Sequence, residues 1–162
     1  MNSRELDKRL LESQSKKEKS WGKILAQLKR QFDAWAINEL TEKGYGGFKL
    51  GYMPLLMNIH PEGITNNELA KKARVSKQAM SKVVKELVRH GYIKTEILGS
   101  DKRSSIIYLT VKGKKLVLSA RDRVSLIEKE YEQLLGKARF QELKELLLKI
   151  IHYHDEKWQS CI

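Results

Sequence analysis

At Gly91 the hydrophobic period of this chain changes, and no other feature limits the fold as much. Before it, "VSKQAMSKVVKELVRH" (75–90) places Met80, Val83, Val84, Leu87 and Val88 on one side of a helix. After it, "YIKTEIL" alternates, with Tyr92, Lys94 and Glu96 on one face and Ile93, Thr95 and Ile97 on the other. "SSIIYLT" follows, across the polar, basic tip Gly99 to Arg103. Two β-rich runs about a Gly-Ser-Asp tip predict an antiparallel hairpin. Gly91, free to take positive φ, is the expected stop between helix and hairpin.

The helix is preceded by a second one with clear signals. "TNNELAKKA" opens on Thr65 with Glu68 three residues on, the spacing of a capping box in which each side chain satisfies a free backbone N–H. The helix should run to about Ala73, "RVS" is a turn, and Ser76 caps the next helix. Capped helix, short turn, helix and hairpin together predict a winged helix-turn-helix.

The polar side of the 75–90 helix shows what this unit is for. Advancing about 100° per residue from Met80, the apolar positions fall within about 80° and Gln78, Ser81, Lys82, Lys85 and Arg89 lie on the far side. The only acid in the helix is Glu86. A solvated helix face ordinarily mixes charge signs. Here Gln and Ser near the first turn suit base edges, and lysines farther along suit phosphates. The charge supports this. The chain is +12, and residues 65–115 alone carry 13 Lys and Arg against four Asp and Glu, a local +9. A localised basic field fits a polyanion, double-stranded DNA before an anionic membrane.

The flanks read as helices. Trp21, Leu25, Leu28, Phe32 and Trp35 make one face of a helix from about Ser20 to Glu42, and residues 3–13 give a short helix or its continuation. Pro54 belongs in the first turn of a short helix over 52–60, where its missing N–H does no harm. From Thr110 a long helix runs to Gly136, and a last helix carries Phe140, Leu143, Leu147, Ile150, His154 and Trp158, with Leu146, Leu148 and Ile151 off that stripe. A helix apolar on more than one side is buried on more than one side. A second protomer is the expected cover, with a deep single-chain core as the alternative.

Other classes find little support. The sequence has no Gly-rich phosphate loop, no metal-spaced Cys/His set and no nucleophile elbow, so neither an enzyme nor a cofactor is expected. His152 and His154 are two apart, about 200° around a helix, and cannot share an ion there. Cys161 has no basic neighbour within three positions to lower its pKa, and one cysteine makes no intrachain disulfide. No apolar run reaches the ~18 residues of a membrane span, and "MNSRELDKRLLESQSKKEK" lacks a secretory apolar stretch, so a cytoplasmic protein without a membrane role is expected.

The stretch from Asn67 to Leu116 resembles the winged helix-turn-helix core of the MarR family of bacterial transcription regulators. The resemblance rests on Glu-Leu-Ala in the first helix, Val-Ser-Lys-Gln at the second, Leu-x-x-x-Gly-Tyr-Ile at its end, Asp-x-Arg-Ser in the hairpin and Leu-Thr-x-x-Gly after it. It implies a mainly α fold with a small β-hairpin wing, a DNA-binding lobe over 51–110, and dimerisation helices over 1–43 and 111–162. It implies a homodimer on a pseudo-palindromic operator, acting as a repressor more often than an activator. Ser76, Lys77, Gln78, Ser81, Lys82 and Lys85 would face the major groove. Arg103 would enter the minor groove, oriented by Asp101, with Lys102 and Ser104 beside it in the wing. Thr65 and Asn66 would meet a phosphate at a helix N-terminus. Such regulators commonly respond to an effector. Trp35, Tyr45, Phe48, Tyr52, Met53 and Met57 would suit a small aromatic or apolar one, though these residue types also make ordinary core. Two rivals remain: a winged-helix protein-interaction module, and a nonspecific nucleoid DNA binder.

Overall fold

The computed structural model describes residues 2–15, 20–97 and 105–159. Two compact units follow one another, Met1–Val117 and Leu118–Ile162.

The first unit opens with α1 (Ser3–Ser15) and α2 (Trp21–Glu42). The apolar stripe of α2 is real but largely uncovered within the chain. Trp21 and Leu28 are more than half exposed, whereas Phe32 and Trp35 are half-buried and Leu40 is buried. The period gave the face correctly; it could not say what lies against it. A 3-10 turn, Leu50–Tyr52, leads into α3 (Met53–Met57), which has Pro54 in its first turn. This helix is shorter than the 52–60 expected, because the Asn58 side-chain amide folds back on Pro54 O (2.8 Å) and a turn closes at Gly63.

Next come β1 (Ile64–Thr65), α4 (Asn66–Lys72), α5 (Lys77–Arg89), β2 (Ile93–Ile97) and β3 (Ser105–Leu109). The hairpin of β2 and β3 is antiparallel, with Thr95 opposite Ile107. A further strand, β1, was not expected; it pairs with β3 through Ile64 opposite Ile107 and makes the sheet three-stranded, order β1-β3-β2. Alternation on β2 buries only Ile93; Thr95 and Ile97 stay exposed, and Tyr92, just before the strand, is buried edge-on against Phe48, with centroids 5.1 Å apart. The core of this unit is Leu56, Leu69, Met80, Leu87, Ile93, Ile107 and Leu116, all essentially inaccessible.

α6 (Val111–Leu135) starts in this unit and runs into the second, where Gly136 (φ +83°) separates it from α7 (Lys137–Gln159). The Leu-Thr-x-x-Gly motif now has a physical reason. Thr110 Oγ1 donates to Gly91 O (2.6 Å) and accepts from Gly113 N–H (3.1 Å), capping α6 and tying it to the end of α5. A Cβ on Gly113 would lie 2.0 Å from Tyr92 O, so only glycine allows this approach. In the second unit, Tyr131 meets Phe140 edge-on with centroids 5.8 Å apart, and Phe140 and Ile127 are buried.

Candidate nucleic-acid interface

Local signals place α4 and α5. Thr65 Oγ1 accepts from Glu68 N–H (3.2 Å) while Glu68 Oε2 accepts from Thr65 N–H (3.0 Å), so the capping box is complete. The Thr65 hydroxyl, which donates to the same Oε2 at 2.7 Å, and then the Thr65 backbone N–H hold the Glu68 carboxyl below its ordinary pKa. Ser76 Oγ accepts from Ala79 N–H (3.1 Å) and starts α5. Gly91, at φ +73°, ends it.

α5 divides largely as its sequence does, except that Val88, expected on the packed face, is exposed. Met80 and Leu87 pack into the core, while Ser76, Lys77, Gln78, Lys82, Lys85 and Arg89 are exposed. The lysine strip therefore lies on the surface of the chain. Ser81 differs: it is half-buried, its hydroxyl donates to Lys77 O (2.8 Å) and accepts from Asn66 Nδ2 (3.2 Å). Its first task is to pin α4 against α5. Thr65 is similarly occupied, since its backbone N–H goes to Glu68.

Beside the strip lies a polar cleft of about 370 Å³ lined by Thr65, Asn66, Asn67, Ser81, Val84, Lys85 and Ser105. It brings two sequence-predicted residues, Thr65 and Asn66, from α4 and its cap together with two, Ser81 and Lys85, from α5. Asn67 and Ser105 were not singled out from the sequence, although Asn67 adjoins Asn66 in the first turn of α4. Inside the cleft wall, Asn66 Oδ1 is buried without a hydrogen-bond partner among the described residues. Asp101, Lys102, Arg103 and Ser104 lie outside the described residues, as does Cys161.

Sequence reading missed the environment of Glu86. Lys49 Nζ lies 2.6 Å from its Oε1, and the Tyr52 hydroxyl donates to its Oε2 at 2.6 Å. The Lys49 ammonium, then the Tyr52 hydroxyl, hold the Glu86 carboxyl below its usual range, and the Tyr52 phenol and Lys49 are pushed up in return. The one negative charge on α5 is thus compensated by the turn that precedes α3. Of the remaining candidate ligand residues, Phe48 and Met53 are buried in the core, and Trp35, Tyr45 and Met57 are half-buried.

A capped helix, tight turn and exposed basic helix backed by a three-stranded sheet define a winged helix-turn-helix. Residues 47–104 match the MarR family model. The transcriptional regulator AdcR of Streptococcus pneumoniae serotype 2 is 38% identical over 56 residues, 35% of this chain and 38% of AdcR, so the match spans little more than a third of that relative. A Staphylococcus aureus MepR–DNA complex superposes with TM-score 0.68 at 19% identity, covering 84% of this chain and 99% of MepR. A MarR transcriptional regulator from Methanosarcina mazei gives TM-score 0.68 at 23% identity, covering 83% and 96%. The match to the MarR family model is confined to the winged helix-turn-helix, and over most of its length the chain shares its fold with the MepR and Methanosarcina mazei proteins. Among the described residues, no helix is long and apolar enough to cross a membrane.

Proposed function

We propose that this protein binds a pseudo-palindromic DNA operator as a homodimer and represses transcription from it in the cytoplasm. The observation that carries the reading is the α5 surface: Lys77, Gln78, Lys82 and Lys85 exposed opposite the buried Met80 and Leu87, with the sole acid compensated from behind. Such a helix offers amide and hydroxyl groups near its start for base edges and ammonium groups farther along for phosphates. The same reading puts Arg103 of the wing in the minor groove and Asp101 beside it as its anchor.

Residues 1–43 and 111–162 are the dimerisation helices in this reading. Leu25 and Leu28 on α2, and Leu146 and Ile150 on α7, are exposed in the protomer, which is the condition of an apolar face awaiting a partner. Related by a two-fold axis, two copies of α5 would sit about one DNA turn apart, roughly 34 Å. MepR has been captured with DNA at the same fold, which favours DNA over an acidic protein as the partner. Release by a small aromatic or apolar effector fits one contact: Tyr52, one of the candidate ligand residues, is bonded directly to α5, so a molecule displacing it would disturb the DNA-reading helix.

Selection of bound duplexes from a random pool tests the whole reading. A palindromic consensus is expected, with half-sites about 10 base pairs apart. Binding with steep salt dependence but no consensus would leave a nonspecific nucleoid binder instead. Arg103→Ala should weaken operator binding by a large factor; an unchanged affinity for every duplex would favour the protein-interaction module.

A further inference from the structure

The polar cleft beside the lysine strip lies between the two elements that would enter different grooves of a duplex. Its walls come from α4, α5 and β3 through Asn67, Lys85 and Ser105, and its volume is about 370 Å³. Ser105 begins β3 and stands opposite Ile97, the last residue of β2. The cleft therefore sits where the hairpin runs out toward its tip.

This cleft suits an anion better than an apolar ligand. Val84 is the one apolar residue of the seven that line it, and no carboxylate does so among the described residues. Glu86, the acid of α5, is turned to Lys49 and Tyr52 instead. Two lining side chains are already engaged. The Ser81 hydroxyl donates to Lys77 O and accepts from Asn66 Nδ2, so this pair holds α4 to α5 beneath the cleft. Lys85 and Asn67 differ: both are exposed, and no hydrogen bond or ion pair engages either side chain among the described residues. An ammonium and a carboxamide are thus free on two of the walls, with the half-buried Ser105 on the third.

Double-stranded DNA has a matching group at that place. In the reading above α5 lies in the major groove and the hairpin tip in the adjoining minor groove. One sugar–phosphate strand divides the two grooves, so a protein that occupies both must let that strand pass between the two elements. We infer that the cleft seats one phosphodiester of this strand, with Lys85 as its ion-pair partner and Asn67 and Ser105 as its hydrogen-bond donors. The inference rests on the DNA-binding reading and adds Asn67 and Ser105 to it. It also assigns Lys85 to the backbone, where it positions the protein without choosing bases.

The test uses the full chain, the duplex selected from the random pool, and copies of that duplex in which one phosphate at a time is replaced by an uncharged methylphosphonate. Lys85→Ala should weaken binding of the unmodified duplex roughly five- to tenfold near 0.1 M salt and lower the salt slope by about one, with the selected consensus unchanged. Asn67→Ala and Ser105→Ala should weaken it roughly two- to fivefold each and keep the slope, because a neutral donor releases no counterion. One methylphosphonate position in each half-site, between the bases facing α5 and the minor-groove site, should weaken the parent protein but add little to Lys85→Ala. Losses from Lys85→Ala and from every methylphosphonate that simply add would overturn the inference. So would a consensus altered by Lys85→Ala, or unchanged affinity in both neutral variants. A parent protein that binds no duplex would overturn the DNA reading itself, so the two failures are told apart.

Discussion

Tyr52 and Glu86 lie 34 residues apart in the chain and are joined by a hydrogen bond of 2.6 Å between phenol and carboxylate. The bond ties the 3-10 turn ahead of α3 to α5, and Lys49 closes the same network from the other carboxylate oxygen. Removing the phenol leaves the carboxylate one donor short and loosens the roll of α5. Tyr52→Phe is expected to lower the melting temperature by roughly 2–4 °C. If the bond also positions α5, the operator-to-random affinity ratio falls while the salt slope stays, because no phosphate contact is lost. A changed melting temperature with an unchanged ratio would confine Tyr52 to stability.

The same network gives a pH dependence whose sign is fixed. The Glu86 carboxyl is held below its ordinary value of 4.5 by Lys49 first and Tyr52 second. A group whose folded pKa is depressed stabilises the fold above its unfolded pKa and loses that contribution as pH falls through the folded one. Glu86→Gln should therefore be less stable than the parent at neutral pH. The gap should close as pH falls below about 4.5 and the parent's own carboxylate is protonated. Urea midpoints at pH 7, 5 and 3 measure it. A gap that persists at pH 3 would assign the loss to packing rather than charge.

Gly113 is the position where the least change should do the most harm. A single methyl would meet Tyr92 O at 2.0 Å, a backbone atom held by β2 and by the Thr110 clamp. Gly113→Ala should cost about 2–3 kcal/mol by urea unfolding, although alanine is the better helix former at an ordinary position. An effect below about 0.5 kcal/mol would mean that α6 can move off the strand at little cost.

Which parts of this structure were legible follows from how local their causes are. Thr65 and Glu68 are three apart, Ser76 and Gly91 bracket α5, and the lysine strip is a matter of angle alone; all are readable from a dozen residues. β1 was not, because Ile64 and Thr65 become a strand only by pairing with Ile107 and Ile106 far along the chain. The partners of Glu86 were hidden for the same reason. Arg74 was hidden differently: the turn was expected, but the usual signal for a left-handed residue is glycine, and an arginine there says nothing until φ is seen. In the candidate site, the exposure of Lys77, Gln78, Lys82 and Lys85 followed the pattern, whereas the occupation of Ser81 by Asn66 needed the packing of α4 on α5.

The uncovered apolar faces make the last prediction. Leu146 on α7 is 49% exposed, so a charge there should leave the protomer fold almost intact. In a dimer interface the same charge is buried against apolar surface without a partner and destabilises association. Leu146→Glu is therefore expected to keep its helical circular dichroism and to sediment as a monomer where the parent sediments as a dimer. On the proposed reading a single α5 would meet only half of a palindrome, so operator affinity should fall by far more than tenfold, while binding to an isolated half-site changes little. A variant that remains dimeric would remove Leu146 from the interface; a parent that is monomeric at micromolar concentration would remove the homodimer itself, and with it the two-fold reading of the operator.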